Sequence, residues 1–260
     1  MKLNNVLIVY THPASKEPKI ALEAVKKILK KHKIHFNLAD RDKLKQEQFW
    51  DRDLIIAVGG DGTFLRAAQF VQNQLILGVN ADVKNKEGFF LKSGKKDFES
   101  KLKKIIKNEM PIKSLPRLEA YINNKKLASL ALNEFFIGPK KAYHAAKYVL
   151  QIDGIKERHK SSGVLVTTPA GSYAWASTYR KNMHIDSESF QYVVREPYEG
   201  KVFKGYKLKH GSLSKNQKVK INSEMLDGVI VADSVGKEHR FKNGDRATIK
   251  LSKMHLNVIW

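Results

Sequence analysis

The sequence predicts an α/β N-terminal domain with an open, mainly parallel sheet, followed by a second, β-rich domain. Three observations carry this reading. Apolar, β-branched runs alternate with amphipathic helical stretches up to about residue 110. After Arg117 the helical period fades and short strands separated by turn residues take over. Between these textures, the most apolar early strand, Leu54–Val58, runs straight into Gly59-Gly60-Asp61-Gly62-Thr63. A buried parallel strand that ends in a glycine turn and a helix start is where open sheets bind ligands.

In chain order, Val6–Tyr10 reads as the first buried strand, and Thr11, His12 and Pro13 form the loop after it. Ser15 is placed to cap a helix whose first turn tolerates Pro18. Ile20, Ala21, Ala24, Val25, Ile28 and Leu29 share one face of that helix, with lysines opposite. Ile34–Leu38 is expected as a second strand and Leu54–Val58 as a third. A helix from Phe64 then leads to a strand at Leu75–Val79. A helix at 98–106 closes the first half, and Pro111 and Pro116 mark a linker. Beyond it, 118–123 and 126–132 flank Asn123-Asn124-Lys125 as hairpin arms. Val149–Ile152 followed by Asp153-Gly154 signals a second hairpin. Gly163–Thr167, Lys218–Ile221, Val229–Ala232 and Ala247–Leu251 are further short strands. The expected division is residues 1–109, 110–245, and a closing segment 246–260.

Composition limits the function classes. A chain of 260 residues, 42% hydrophobic and 28% charged, builds a globular core. No apolar run reaches the roughly 20 residues a bilayer needs, and the N-terminus enters its first strand without a signal-peptide pattern. Absence of cysteine removes disulfides, thiolate nucleophiles and cysteine-bound metals. A cytoplasmic location is the expectation. The formal charge of +22 would suit nucleic acid, yet the lysines are spread over every segment. Acids also sit inside the motifs, so nucleic acid is not the expected partner. The nine histidines lack metal-ligand spacing, and a surface role is expected for them.

The glycine turn suits phosphate: glycines admit close approach of a ligand to the backbone, and the following helix start presents unpaired N–H groups. Asp61 is the odd member, because a carboxylate repels phosphate unless a hydroxyl or a magnesium ion stands between them. A turn-capping acid is the alternative. The dinucleotide fingerprint fails at Leu65, and no G-x-x-x-x-G-K-[ST] run occurs. In the second half, Asn133-Glu134 lies between two apolar runs, where a buried polar pair needs partners or a polar ligand. Ser161–Trp175 runs from a strand through Thr168-Pro169-Ala170-Gly171-Ser172 into an expected small-residue helix start.

The Gly-Gly-Asp-Gly-Thr string resembles the signature of NAD kinases, of diacylglycerol and sphingoid-base kinases, and more loosely of 6-phosphofructokinases. With Gly78-Val79-Asn80 before Gly88-Phe89-Phe90-Leu91, then Leu132-Asn133-Glu134, then Thr168-Pro169-Ala170-Gly171-Ser172-Tyr173-Ala174, the order resembles the NAD kinase family specifically. A terminal β segment around Val231-Ala232-Asp233-Ser234 completes the likeness. The resemblance implies an α/β domain joined to a β-sandwich, with the C-terminal segment returning to the first domain. It implies transfer of the γ-phosphoryl of ATP to the 2′-hydroxyl of the adenosine ribose of NAD, with magnesium, by a homo-oligomer. Asp61 would orient or deprotonate that hydroxyl; Gly59, Gly60, Gly62 and Thr63 would cradle phosphate. Asn133 and Glu134 would contact the ribose and adenine. Thr168, Gly171, Ser172, Tyr173, Ala174, Trp175 and Asp233 would complete the NAD set.

The chain also departs from the family pattern. Ser162 stands where an acid is usual, Tyr173 and Trp175 replace a small hydroxyl residue and a tyrosine, and Ser234 replaces a glycine. No Gly-Gly-Pro turn occurs near Lys181, and residues 82–87 lengthen the connection before Gly88. Two alternatives stay open: a lipid or sphingoid-base kinase, and a basic nucleotide- or nucleic-acid-binding protein without catalysis.

Overall fold

The computed structural model describes residues 2–12 and 16–260, so the expected cap at Ser15 and the loop residue Pro13 lie outside the described residues. The chain forms two units, Met1–Ser114 with Leu256–Trp260, and Leu115–His255.

The first unit runs β1 (Val6–Tyr10), α1 (Lys16–Lys31), β2 (Phe36–Asp40), β3 (Leu54–Gly59), α2 (Asp61–Ala68), β4 (Leu75–Asn80), β5 (Ser93–Gly94), α3 (Phe98–Ile106) and β6 (Ile112–Leu115). Strand order is β2-β1-β3-β4, then the terminal strand Leu256–Ile259, then β6, with β5 also against β4. β1, β2, β3, β4 and β5 pair in parallel, and so do the terminal strand and β4. All six residues of β3 are buried, which explains its uninterrupted apolar run.

Three expectations are corrected here. The second strand begins at Phe36, because Lys33 adopts a left-handed conformation (φ 54°) that closes α1. The Ile34 N–H then donates to Leu29 O at 3.0 Å, and Ile34 packs beside Leu29 as a helix cap. The helix expected from Phe64 starts at Asp61. The Pro111–Pro116 linker contains a strand of the sheet, β6.

The second unit holds β7 (Leu118–Ile122), β8 (Lys125–Ala131), β9 (Glu134–Pro139), β10 (Ala146–Ile152), β11 (Ile155–Ser161), β12 (Val164–Thr167), β13 (Ser189–Val194), β14 (His210–Ser214), β15 (Val219–Ser223), β16 (Gly228–Ala232), β17 (His239–Arg240) and β18 (Arg246–Leu251). They make two six-stranded sheets, β11-β10-β15-β18-β7-β8 and β14-β13-β12-β9-β16-β17. Tyr148, Leu150, Ile221 and Ile249 of the first share one core with Ile137, Val166, Phe190 and Ile230 of the second, as in a β-sandwich. Both expected hairpins form. Asn123 and Asn124 (φ 49° and 67°), and Asp153 and Gly154 (φ 47° and 84°), supply the positive φ pair that tight hairpins demand.

His159 departs from the expected surface role. It is fully buried, its ring stacked between Tyr148 (5.5 Å) and Tyr206 (4.4 Å). Its Nε2 lies 2.7 Å from a Glu157 carboxylate oxygen, out of line for a hydrogen bond. The alternation along β11 turns His159 inward, and Tyr206 covers it.

Candidate functional site

In the first unit the glycine turn is built around Asp61. Its carboxylate accepts the backbone N–H groups of Gly88 (3.0 Å), Phe89 (3.1 Å) and Phe90 (2.9 Å). A carboxylate has about four lone-pair positions, so one remains for a further donor. Gly60 precedes α2 in an extended conformation, and the first-turn N–H groups of Asp61 and Gly62 have no acceptor within the helix. Gly62 has open space where a side chain would project. Gly59 and Thr63 serve packing instead. Thr63 is fully buried, its hydroxyl accepts from Arg41 Nη1 (3.2 Å), and a Cβ on Gly59 would lie 2.4 Å from that hydroxyl. The open part of the expected cradle is therefore the backbone of residues 60–62.

In the second unit three strand ends converge. Thr167, ending β12, pairs with Glu134, starting β9, and Ala232, ending β16, pairs with Phe135. Asp233, in a left-handed conformation (φ 55°), accepts backbone N–H groups from Leu132 (3.0 Å), Asn133 (2.7 Å) and Glu134 (3.3 Å). The Asn133 carbonyl accepts from Thr168 N (2.8 Å) and Thr167 Oγ1 (3.1 Å). Thr168 Oγ1 donates to Leu132 O (2.5 Å) and accepts Gly171 N (3.0 Å). Ser172 Oγ donates to Pro169 O (2.7 Å) and accepts Met183 N (2.8 Å). A Cβ on Gly171 would fall 2.0 Å from Asn133 O, so only glycine lets the turn close. The side chains of Thr168 and Ser172 are thus spent on holding this turn. The small-residue helix start resolves into two short 3₁₀ turns, Gly171–Tyr173 and Trp175–Thr178, broken at Ala174 (φ −98°, ψ −131°).

Among the described residues, two buried atoms in this network have no hydrogen-bond partner: Asn133 Oδ1 and Glu134 Oε2, on residues only 8% and 3% exposed. Burial, and then the Asp233 carboxylate, push the Glu134 carboxyl up to about 8. Burial raises Asp233 to about 7, although the three N–H donors and Arg117 pull the other way. Glu134 is therefore largely protonated at neutral pH and offers a donor as well as an acceptor.

Tyr173 and Trp175 are on the surface rather than in the core, 43% and 36% exposed. The Trp175 ring lies 5.5 Å from Phe136 and 4.4 Å from the Arg195 guanidinium, and Arg195 is 5.7 Å from Phe136.

Sequence reasoning missed two groups. Arg117 is almost completely buried, donates to Met254 O (2.9 Å) and His255 O (3.1 Å), and carries the charge that opposes Asp233. A basic residue between Pro116 and a strand was its only signal. Trp260, at the end of the terminal strand, packs edge-on to Phe89 (6.0 Å) under the Lys92 ammonium (3.7 Å). It thus braces the segment whose N–H groups Asp61 collects.

Comparison with known proteins follows this geometry. A parallel α/β unit with the glycine turn after β3, plus a two-sheet unit, is the fold of NAD kinases. An NAD kinase from Archaeoglobus fulgidus, solved in complex with ATP, superposes with a TM-score of 0.80 at 24% identity, covering 98% of this chain and 93% of that one. Residues 7–110 match the family described as the ATP-NAD kinase N-terminal domain. A probable NADH kinase of Oryza sativa subsp. japonica is 25% identical over 98% of this chain and 85% of its own length. An NAD kinase of Thermoplasma volcanium is 27% identical over 77% of this chain and 71% of its own. The fold is that of NAD kinases, and the match to the ATP-NAD kinase N-terminal domain covers residues 7–110 of the 260. Among the described residues no helix is long and apolar enough to cross a membrane.

Proposed function

We propose that this protein is an ATP-dependent NAD kinase that places the γ-phosphoryl of ATP on the 2′-hydroxyl of the adenosine ribose of NAD, giving NADP and ADP. The observation that carries this reading is the pair of unpartnered, buried acceptors Asn133 Oδ1 and Glu134 Oε2. Leaving such atoms unmet costs roughly 1–3 kcal/mol each, so a polar ligand that supplies donors gains from them. An alkyl chain gains nothing there, and this disfavours a lipid acceptor. Asn133, protonated Glu134 and the scaffold of Thr168, Gly171, Ser172, Ala174 and Asp233 are assigned to NAD, with Tyr173 and Trp175 on the exposed side of that set. The backbone of Gly60, Asp61 and Gly62 is assigned to phosphate.

Phosphoryl transfer asks the protein mainly for position and electrostatics. The last lone-pair position of Asp61 accepts the 2′-hydroxyl, orients its oxygen toward the γ-phosphorus and takes the proton. The bond from that phosphorus to the ADP oxygen breaks as the ribose–phosphate bond forms. Magnesium, arriving with ATP, neutralises charge on the phosphates. A homo-oligomeric, cytoplasmic enzyme belongs to the same reading. Incubation with ATP, magnesium and NAD tests it: NADP should appear, and its absence with all three at saturating concentration would defeat the assignment.

A further inference from the structure

The connection between β4 and Gly88 brings a lysine onto the glycine turn. If Gly60 had a Cβ, it would lie 3.0 Å from Lys86 Cδ and 3.6 Å from Lys86 Nζ. Nothing in the glycine turn's sequence asks for this, since Lys86 is twenty-six positions on.

The placement is built, not incidental. Asn80 sits at the end of β4, level with Gly59 in the sheet. Its Oδ1 accepts Asp82 N (2.9 Å) and its Nδ2 donates to Lys86 O (3.3 Å), so one side chain holds both ends of the 82–86 turn. Within the turn, Lys86 N donates to Asp82 O (3.1 Å), and Asn85 Nδ2 donates to both Asp82 carboxylate oxygens (3.1 and 2.9 Å). Gly88, at φ 73°, passes so close that a Cβ there would be 2.6 Å from Asn80 Nδ2. Asp61 fixes the N–H groups of Gly88, Phe89 and Phe90. The backbone on either side of Lys86 is therefore fixed to β4, the neighbour of the strand that enters the glycine turn, and to α2, the helix that leaves it.

Asp61 is turned to Gly88–Phe90 and Asp82 to Asn85, and among the described residues Lys86 makes no ion pair. A half-buried ammonium held over a glycine, with no carboxylate of its own, is set for a phosphate oxygen.

We propose that Lys86 is a phosphate-binding residue that contacts a β- or γ-phosphoryl oxygen of the ATP held at Gly60–Gly62. The proposal rests on the assignment of that turn to ATP. It goes further by making affinity depend on the outer phosphates through one cation contributed by the 82–86 turn.

Titration calorimetry of ATP and of AMP into wild type, Lys86→Met and Lys86→Arg tests it. Methionine keeps the stem over Gly60 and removes the charge. A charge-assisted contact of this kind predicts ATP binding roughly 10- to 100-fold weaker in Lys86→Met, AMP binding unchanged, and recovery of most of the loss in Lys86→Arg. Unchanged ATP affinity in Lys86→Met would overturn the proposal. Equal weakening of ATP and AMP would overturn it too, since that is what a merely structural stem produces. If wild type makes NADP and Lys86→Met binds ATP normally, only the role of Lys86 fails. If wild type binds no ATP, the assignment of the turn fails with it.

Discussion

Asn133→Ala separates ligand binding from structure unusually well, because the side chain and the backbone of Asn133 do different work. The backbone N–H donates to Asp233 and the carbonyl accepts from Thr168 and Thr167, and alanine keeps all three bonds. The side chain leaves Oδ1 buried and unmet. That atom costs roughly 1–3 kcal/mol in the ligand-free protein, so its removal offsets the packing lost with the amide. Stability should therefore stay level or rise. A gain of 1 kcal/mol would raise Tm by about 2–4 °C in a domain of this size. NAD affinity should fall in the same variant, because the donor that satisfied Oδ1 loses its acceptor; 1–3 kcal/mol corresponds to about 5- to 150-fold. ATP affinity should move little. Thermal melts of ligand-free protein with titrations of NAD and ATP read all three quantities. A Tm lowered by several degrees with unchanged NAD affinity would refute the reasoning and make Asn133 a structural residue.

Other predictions concern the acids and the exposed indole. Asp61→Asn should cut NADP formation on the order of 10²–10⁴-fold while NAD affinity changes far less, as initial rates and titration will show; near-normal turnover would leave Asp61 as a loop anchor only. Burial raises Glu134 from the ordinary 4.5 to about 8, so its neutral form supports folding below 4.5 and that support is lost as pH rises through 8. Denaturant melts between pH 5.5 and 9 should therefore show stability falling by at most about 1.4 kcal/mol per pH unit from this group, and Glu134→Gln should flatten that part of the slope. An identical slope in Glu134→Gln would contradict the assignment. With Trp50 and Trp260 replaced by Phe, NAD should quench Trp175 emission saturably, and Trp175→Ala should weaken NAD with the fold intact. Emission indifferent to NAD would remove Trp175 from the site.

Much of this was legible in the sequence because it is local. β3 announced itself by the five-residue apolar run Leu54–Val58, all of it buried, and the hairpins by Asn-Asn and Asp-Gly, where positive φ is obligatory. The glycine turn could be placed at a strand end from its spacing alone. What stayed hidden depends on distant partners. Ile34 looked like strand, yet its partner is Leu29 in the capped end of α1. Thr63 looked like a ligand contact, but Arg41 holds its hydroxyl. Thr168 and Ser172 stood in the right motif, though their hydroxyls close a turn and the unmet atoms belong to Asn133 and Glu134. β13 and β14 lack turn signals and a clear period, so β13 emerges only from pairing with β12, and β14 from pairing with β13. Asp233 offered a motif position but no hint that it gathers three N–H groups a hundred residues away.

The most direct measurement mixes wild-type protein and magnesium-ATP with NAD, NADH or diacylglycerol in parallel and identifies the products by mass spectrometry. NADP or NADPH should form in the dinucleotide reactions, with the added phosphate on the adenosine 2′-oxygen and a matching amount of ADP. The diacylglycerol reaction should give no phosphatidate. Phosphatidate without phosphorylated dinucleotide, or no product in any reaction, would contradict the account.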